Sequence, residues 1–194
     1  MTKKRLEMIQ SFGQEVEAAA GPEARRTVLQ GFEELTARTS GKDFSLWVRD
    51  SIDRLDASLP EATRHQIMDA CGINCTRVNH TTIARGQSRR AKFDTEEAFL
   101  AAEIRKPQAG TRLERNGNVL IQTYTPQSYT HPMRCYCGLL RELPLGVKVS
   151  PTYCNCSKAF VRTYWSAVLE RPVEVEILES AISGSAECKF KIST

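Results

Sequence analysis

The stretch RLERNGNVLIQTY, residues 112–124, decides the fold of the second half of the chain. Strand-forming residues flank Asn116-Gly117, a dipeptide that favours a two-residue hairpin turn because both positions tolerate positive φ. The spacing of apolar residues changes from a helical period of about 3.6 to a strand period of 2 just before it, at Pro107. We therefore predict two antiparallel strands that begin after Pro107.

Upstream of Pro107 the apolar residues recur at helical spacing, as in Leu6, Ile9 and Phe12. Turn, cap and proline signals divide these runs into separate helices. The predicted boundaries are Gly21-Pro22, Ser40-Gly41, Asp43, Pro60 and Asp94. Residues 1–107 are therefore predicted to form a helical region.

Downstream of the first hairpin the sequence predicts a crossing helix over residues 157–170 and then a second hairpin. If Ile177 opposes Phe190 on the core face of that hairpin, the same register places Glu179 opposite Cys188. The predicted fold class is α+β: an N-terminal helical layer, then a small antiparallel sheet with a crossing helix. Residues 108–194 form a cysteine-rich, ligand-binding-like α+β domain in this prediction.

The composition of the chain limits which binding partners and which cellular compartment we expect for the protein. The 194 residues are 41% hydrophobic with a net charge of +4, and no stretch resembles a signal peptide or a membrane span. We expect a cytoplasmic protein without a membrane partner. The basic stretch at residues 85–92 has no interleaved aromatic residues, so we expect no nucleic-acid partner either. A homodimer is compatible with the sequence.

Five of the seven cysteines lie in the final third, as the doublets Cys135-Tyr136-Cys137 and Cys154-Asn155-Cys156 and as Cys188. Disulfides are rare in a reducing cytosol, and thiolates are soft ligands for zinc or for the iron of an iron–sulfur cluster. We predict a metal site, with zinc favoured over an iron–sulfur cluster. A redox arrangement and inert packing are the alternatives.

Three more groups could join this site. If Glu179 faces Cys188, its carboxylate is a candidate metal ligand. If it lies beyond the last regular strand pair, its carboxylate is solvated. His131 precedes Cys135 by four residues and is either an extra ligand or proton carrier, or a surface residue. Cys71 and Cys75 share one helix face, where they could bind metal, cycle between dithiol and disulfide, or pack as small apolar groups.

The C-terminal part, residues 108–194, resembles the 4-vinyl-reductase-type, or hydrocarbon-binding, domain family. The resemblance rests on the Cys154 doublet before a helix, on the strand ending at Ser180, and on the terminal Gly-x-x-x-Cys-x-Phe pattern at residues 184–190. It implies a zinc site beside a small-molecule pocket. The family pattern Glu-x-x-Cys is broken, because Ile177 stands in place of the glutamate and Ser180 in place of the cysteine. The extra doublet cysteines could replace the missing ligand.

A second resemblance is to L-2-amino-thiazoline-4-carboxylic acid hydrolase-like proteins. It rests on the run CGINC, residues 71–75, together with the cysteine-bearing end. This resemblance implies a hydrolase but identifies no catalytic residue.

Two functions therefore remain open. The first is a zinc-containing small-molecule-binding or sensing protein, whose pocket is lined by Tyr153, Phe160, Tyr164 and Phe190. The alternative is a metal-dependent hydrolase, in which Glu179 or His131 moves protons. The sequence contains no hydrolase or phosphate-binding motif that would support catalysis independently, so the catalytic residues are unassigned.

Overall fold

The computed structural model describes residues 2–125 and 134–194. In this part of the chain it contains six α-helices and one four-stranded antiparallel sheet, which confirms the predicted α+β class. The helices are α1 (Lys3–Val28), α2 (Gly41–Ser58), α3 (Glu61–Val78), α4 (His80–Arg90), α5 (Glu96–Arg105) and α6 (Cys154–Leu169). The strands are β1 (Thr111–Asn116), β2 (Val119–Tyr124), β3 (Glu174–Glu179) and β4 (Cys188–Ser193), in the order β1-β2-β4-β3.

Most of the predicted helix boundaries are confirmed. Gly21, with φ of 85° and ψ of 173°, interrupts α1 directly before Pro22. The start of α2 is capped by Ser40 rather than by Asp43, because the Ser40 hydroxyl accepts the Asp43 N–H at 3.1 Å. The helix predicted between Gly21-Pro22 and Ser40-Gly41 is wrong beyond Val28, where α1 ends and a left-handed Gly31 precedes a single 3-10 turn.

Both predicted hairpins form. Asn116 pairs with Val119 across a turn in which Gly117 has φ of 59°, the conformation that the Asn-Gly dipeptide favours. In the second hairpin Ile177 pairs with Phe190, as predicted. The central pairing of β2 with β4 then joins the two hairpins into one sheet.

The buried apolar residues form two cores, which we call the helical core and the sheet core. The helical core lies among α1, α2, α3 and residues 139–154, and includes Ile9, Val16, Phe44, Ile52, Leu55, Ile67 and Leu140. The sheet core lies between the sheet, α5 and α6, and includes Phe99, Leu100, Leu120, Val161, Trp165, Phe190 and Ile192. The helical core draws residues from both sides of position 107, where we predicted a boundary between two regions; that boundary stays a prediction.

Helices α3 and α6 meet at a close contact that only glycine permits. A Cβ atom at Gly72 on α3 would lie 2.3 Å from the Cys156 carbonyl oxygen and 2.6 Å from the Ala159 Cβ atom. Gly86 fits against α6 in the same way, since its Cβ atom would lie 2.8 Å from the Tyr164 hydroxyl oxygen. These contacts bring the helical core and the sheet core together along α6. Across the described ranges, no helix is both long enough and apolar enough to span a bilayer.

Candidate functional site

The first cysteine doublet lies in a loop that is fixed to the helices by polar contacts. The Arg134 guanidinium donates to the carbonyl oxygens of Pro144 at 2.7 Å and Val147 at 3.1 Å, which closes the loop on itself. The Ser45 hydroxyl of α2 donates to the Leu139 carbonyl at 2.9 Å. Arg5 of α1 donates to the Gly138 carbonyl at 3.1 Å. The segment at residues 134–143 is therefore held against α1 and α2.

All seven cysteines are free, and the fold brings them together from four separate elements. Two lie on α3, two in the loop at residues 134–143, two at the start of α6 and one at the start of β4. The thiols are close enough to influence one another's ionisation. Cys156 is affected by Cys71, Cys75 and Cys137. Cys135 is affected by Cys137, Cys154 and Cys188, which connects the two ends of the cluster.

Burial keeps most of these thiols protonated at neutral pH. It raises the pKa of Cys71 to about 12 and that of Cys154 to about 11, because a thiolate loses its hydration inside the protein. The same cause raises the pKa of four further thiols: Cys75, Cys135, Cys156 and Cys188. These six thiols are therefore neutral, weakly polar side chains.

Cys154 takes part in a hydrogen-bonded chain that explains the serine at position 180. The Cys154 Sγ atom lies 3.0 Å from the Ser180 hydroxyl, which donates to Ser183 at 3.1 Å. Ser183 in turn donates to the Val149 carbonyl at 2.9 Å. Because the Ser180 proton is directed to Ser183, the Cys154 S–H group donates to Ser180. The position where the resembled family has a cysteine thus supplies a hydroxyl acceptor here.

The predicted zinc cofactor is wrong, and so is the iron–sulfur alternative. Among residues 2–125 and 134–194, no group of three or more His, Cys, Asp or Glu side chains is placed so that it could hold a metal ion. The sequence pattern predicted that the cysteines lie near one another, but it could not show how their side chains are placed relative to one another.

The predicted approach of Glu179 to Cys188 is also wrong. Between Ile177 and Glu179 the register shifts, so that Glu179 pairs with Lys189 instead. Leu178 is the extra residue of this β-bulge, which turns Glu179 away from the thiols. Its carboxylate accepts a hydrogen bond from the Lys189 ammonium at 2.6 Å. His131, the other candidate proton carrier, lies outside the described residues.

A cavity of about 90 Å³ lies between α1, α2, α3 and the thiol cluster. We call it the helical cavity. Its inner wall is made of apolar side chains from the three helices: Ile9, Phe12, Val48, Ile52 and Met68. Four thiols complete the wall: Cys71, Cys75, Cys137 and Cys156. The exposed lining residues Lys4, Glu7 and Val78 mark its mouth, between the start of α1 and the end of α3.

Polar side chains of the cavity wall already make hydrogen bonds to protein atoms. The Tyr153 hydroxyl donates to the Cys137 Sγ atom at 3.1 Å. The Asn74 amide donates to the Glu15 carboxylate at 2.8 Å. The Asn79 amide donates to the Cys75 carbonyl at 2.9 Å. A ligand in the cavity would therefore contact mainly carbon and sulfur atoms.

Of the four aromatic residues that we predicted to line a pocket, Tyr153 lines the helical cavity. Tyr164 and Phe190 belong to the sheet core, and Phe160 is partly exposed outside the cavity lining. The wall residues of α1 and α2 were missed by the sequence analysis. Their periodic spacing indicates a buried helix face, but it does not tell a packed face from one that borders a space.

Comparison with known proteins gives no family for the chain. No protein-family model matches it, and no curated protein matches it. One solved structure that the chain matches is described as the crystal structure of an H-NOX protein from S. oneidensis in the Fe(II)NO ligation state. Its sequence is 11% identical, the alignment covers 96% of each chain, and the TM-score is 0.44. A similarity of this size transfers no property from that protein to this chain.

Proposed function

We propose that this protein binds an apolar small molecule in the helical cavity. The single observation that carries the proposal is a cavity walled mainly by carbon and sulfur, in which Tyr153 and Asn74 already donate hydrogen bonds to protein atoms. Binding in the cavity would remove the surface of an apolar ligand from water, which is favourable, and it would break none of these hydrogen bonds of the wall. Water would find few partners in the same space.

The arrangement of the mouth supports entry from solvent. Val78 at the end of α3 is 49% exposed although it is a large apolar residue. Lys4 reaches across the mouth with one long hydrogen bond, at 3.3 Å, from its ammonium to the Asn79 side-chain oxygen. An exposed contact of this kind contributes little stability and can open without disturbing the core. The proposed ligand therefore has a route to the inner wall.

The resemblance of residues 108–194 to the 4-vinyl-reductase-type domain family agrees with this proposal only in implying a small-molecule ligand, because the helical cavity is walled mainly by α1, α2 and α3, which precede those residues. We retain a distant relationship to that family as part of the proposal. The hydrolase alternative gains no support, because Glu179 is paired with Lys189 and no motif for catalysis is present.

The test uses toluene, a small apolar ligand, and follows tryptophan fluorescence, because Trp47 lines the cavity. We expect a saturable change in fluorescence, in a protein whose near-ultraviolet circular dichroism shows fixed packing. Ile52→Phe places a larger ring at the cavity wall and should abolish the saturable signal. Leu178→Phe adds the same ring at an exposed site on β3 and should leave the signal unchanged. Equal binding by both variants would contradict the proposal.

A further inference from the structure

The mouth of the helical cavity carries a positive charge that no acidic side chain balances in the described part of the chain. The Lys4 side chain lines the cavity, and its ammonium makes one hydrogen bond, to the Asn79 side-chain oxygen at 3.3 Å. Asn79 is neutral, and no carboxylate of the described residues lies within ion-pair distance of the ammonium. An ammonium has three N–H donors, so two of them have no protein acceptor among residues 2–125 and 134–194. They are available to a ligand that enters the cavity.

The acidic side chains beside the cavity already have partners. The Glu7 carboxylate, which lies at the mouth, is 3.8 Å from the Lys3 ammonium. Glu15 lies outside the cavity lining. The Asn74 amide donates to the Glu15 carboxylate at 2.8 Å and accepts from the Arg77 guanidinium at 3.0 Å, so it links that carboxylate to a cation. Among the described side chains around the mouth, the charge without a counterion is therefore positive, and it favours an anionic ligand.

The inner part of the cavity suits an uncharged chain of limited length. Its wall is apolar, with Ile9, Phe12 and Ile52 among the residues that line it. A charged group there would lose its hydration without gaining a partner, so a charged head group has to stay at the mouth. A water-sized group takes roughly 10–15 Å³ of a cavity, so a volume of about 90 Å³ holds about six to nine such groups. A linear alkyl chain with about that many carbon atoms therefore fits between the mouth and the inner wall.

We propose that the helical cavity binds a medium-chain alkyl carboxylate, whose chain lies against the apolar wall and whose carboxylate pairs with Lys4 at the mouth. The inference rests on the proposed function, because the chain has to occupy the cavity that we assign to an apolar ligand. The N–H groups of Lys4 donate to the carboxylate, and a charge-assisted hydrogen bond of this kind is stronger than a neutral one. The head group keeps its contact with water, because Lys4 is exposed. The pairing therefore adds affinity at little cost in desolvation.

The experiment measures the binding of octanoate, octan-1-ol and octylammonium to the full chain at neutral pH and low ionic strength. The three probes share one alkyl chain and differ in the charge of the head group. Tryptophan fluorescence reports binding, as in the toluene titration, because Trp47 lines the cavity. We expect octanoate to bind about three- to fivefold more tightly than octan-1-ol, which is the contribution of a well-placed exposed ion pair. Octylammonium should bind most weakly, because its charge is repelled by Lys4.

Variants of exposed lysines separate the role of the charge from folding defects. Lys4→Met should lower the affinity for octanoate about three- to fivefold, whereas octan-1-ol, which has no charge to pair, should bind as before. Lys4→Arg keeps a cation at the mouth and should retain the preference for octanoate. Lys92→Met is the matched control, because it removes the charge of an exposed lysine outside the cavity lining and should change neither affinity. Ile52→Phe should abolish octanoate binding, because its ring occupies the space of the alkyl chain.

The outcomes also separate this inference from the proposed function. Toluene and octan-1-ol binding without a preference for octanoate would refute the carboxylate assignment and leave the cavity proposal intact. A preference that persists in Lys4→Met, or octanoate binding that survives Ile52→Phe, would overturn the inference as well, because the carboxylate would then be held elsewhere. Absence of both toluene and octan-1-ol binding would refute the proposed function itself.

Discussion

The helical core and the sheet core are built from similar apolar residues, but only the helical core borders the cavity described above. The sheet core is filled by large side chains such as Phe99 and Trp165, and Trp165 donates to the Gln122 side chain at 2.7 Å. The helical core has one wall made of small thiols and leaves a space of about 90 Å³ beside them. Under the proposed function, the helical core gives up some packing for binding, whereas the sheet core serves stability.

The largest effect is expected where the two cores meet. Gly72→Ala places a Cβ atom 2.3 Å from a backbone oxygen of α6, which cannot move aside as a flexible side chain can. We expect the free energy of unfolding to fall by about 3 kcal/mol, at the upper end of typical overpacking costs. Urea denaturation followed by circular dichroism measures it.

Gly138→Ala is the matched control, because a Cβ atom there meets no other atom within 4 Å. It should change the stability by less than about 0.5 kcal/mol, as expected for a surface substitution. A similar loss in both variants would show that α3 and α6 are not in the close contact described.

A second pair of variants compares the packing of the two cores directly. Ile192→Phe overfills the sheet core, where Ile192 is fully buried, and should cost about 1–3 kcal/mol. Ile52→Phe makes the same change at the cavity wall and should cost less than half as much, since the ring can occupy free space. Chemical denaturation of both variants tests this. A larger loss for Ile52→Phe would mean that the helical core has no usable space.

The fold was largely predictable from sequence because its signals are local. The Asn116-Gly117 turn and the alternation through Ile177 were sufficient to find both hairpins. The contact between Glu179 and Cys188 failed because one extra residue, Leu178, forms a bulge that alternation alone does not reveal. Register beyond such a bulge depends on packing against the rest of the sheet.

The site was predictable only in part. The cysteines do converge, and Gly72 between Cys71 and Cys75 is the sequence feature that lets α3 approach α6. The zinc prediction failed because ligand geometry is a tertiary property: among the described residues no three His, Cys, Asp or Glu side chains are placed to hold a metal ion. The cavity itself has no sequence signature, because the same apolar periodicity produces a filled core elsewhere in the chain.

A smaller effect is expected from alkaline pH. The pKa of Cys71 rises from 9.0 to about 12 on folding, so the unfolded chain releases this proton first as the pH rises. The contribution of Cys71 to stability is therefore complete below pH 9 and is lost between pH 9 and about 12. The loss should be at most about 1.4 kcal/mol per pH unit.

Denaturation midpoints at pH 8, 9 and 10 measure this slope. Cys71→Ala should make the decline between pH 9 and 10 shallower, because one buried ionisable group is gone. An unchanged slope would show that Cys71 is not buried as a neutral thiol.

The central claim is that the helical cavity, and not the sheet core, receives an apolar small molecule. The chain has two tryptophans, of which Trp47 lines the cavity and Trp165 lies in the sheet core. The most direct measurement is ¹⁹F NMR of protein labelled with 5-fluorotryptophan, with the resonances assigned through Trp47→Phe and Trp165→Phe. Addition of octan-3-one should shift the Trp47 resonance in a saturable manner and leave that of Trp165 in place. A shift of Trp165 alone, or of neither resonance, would contradict the account.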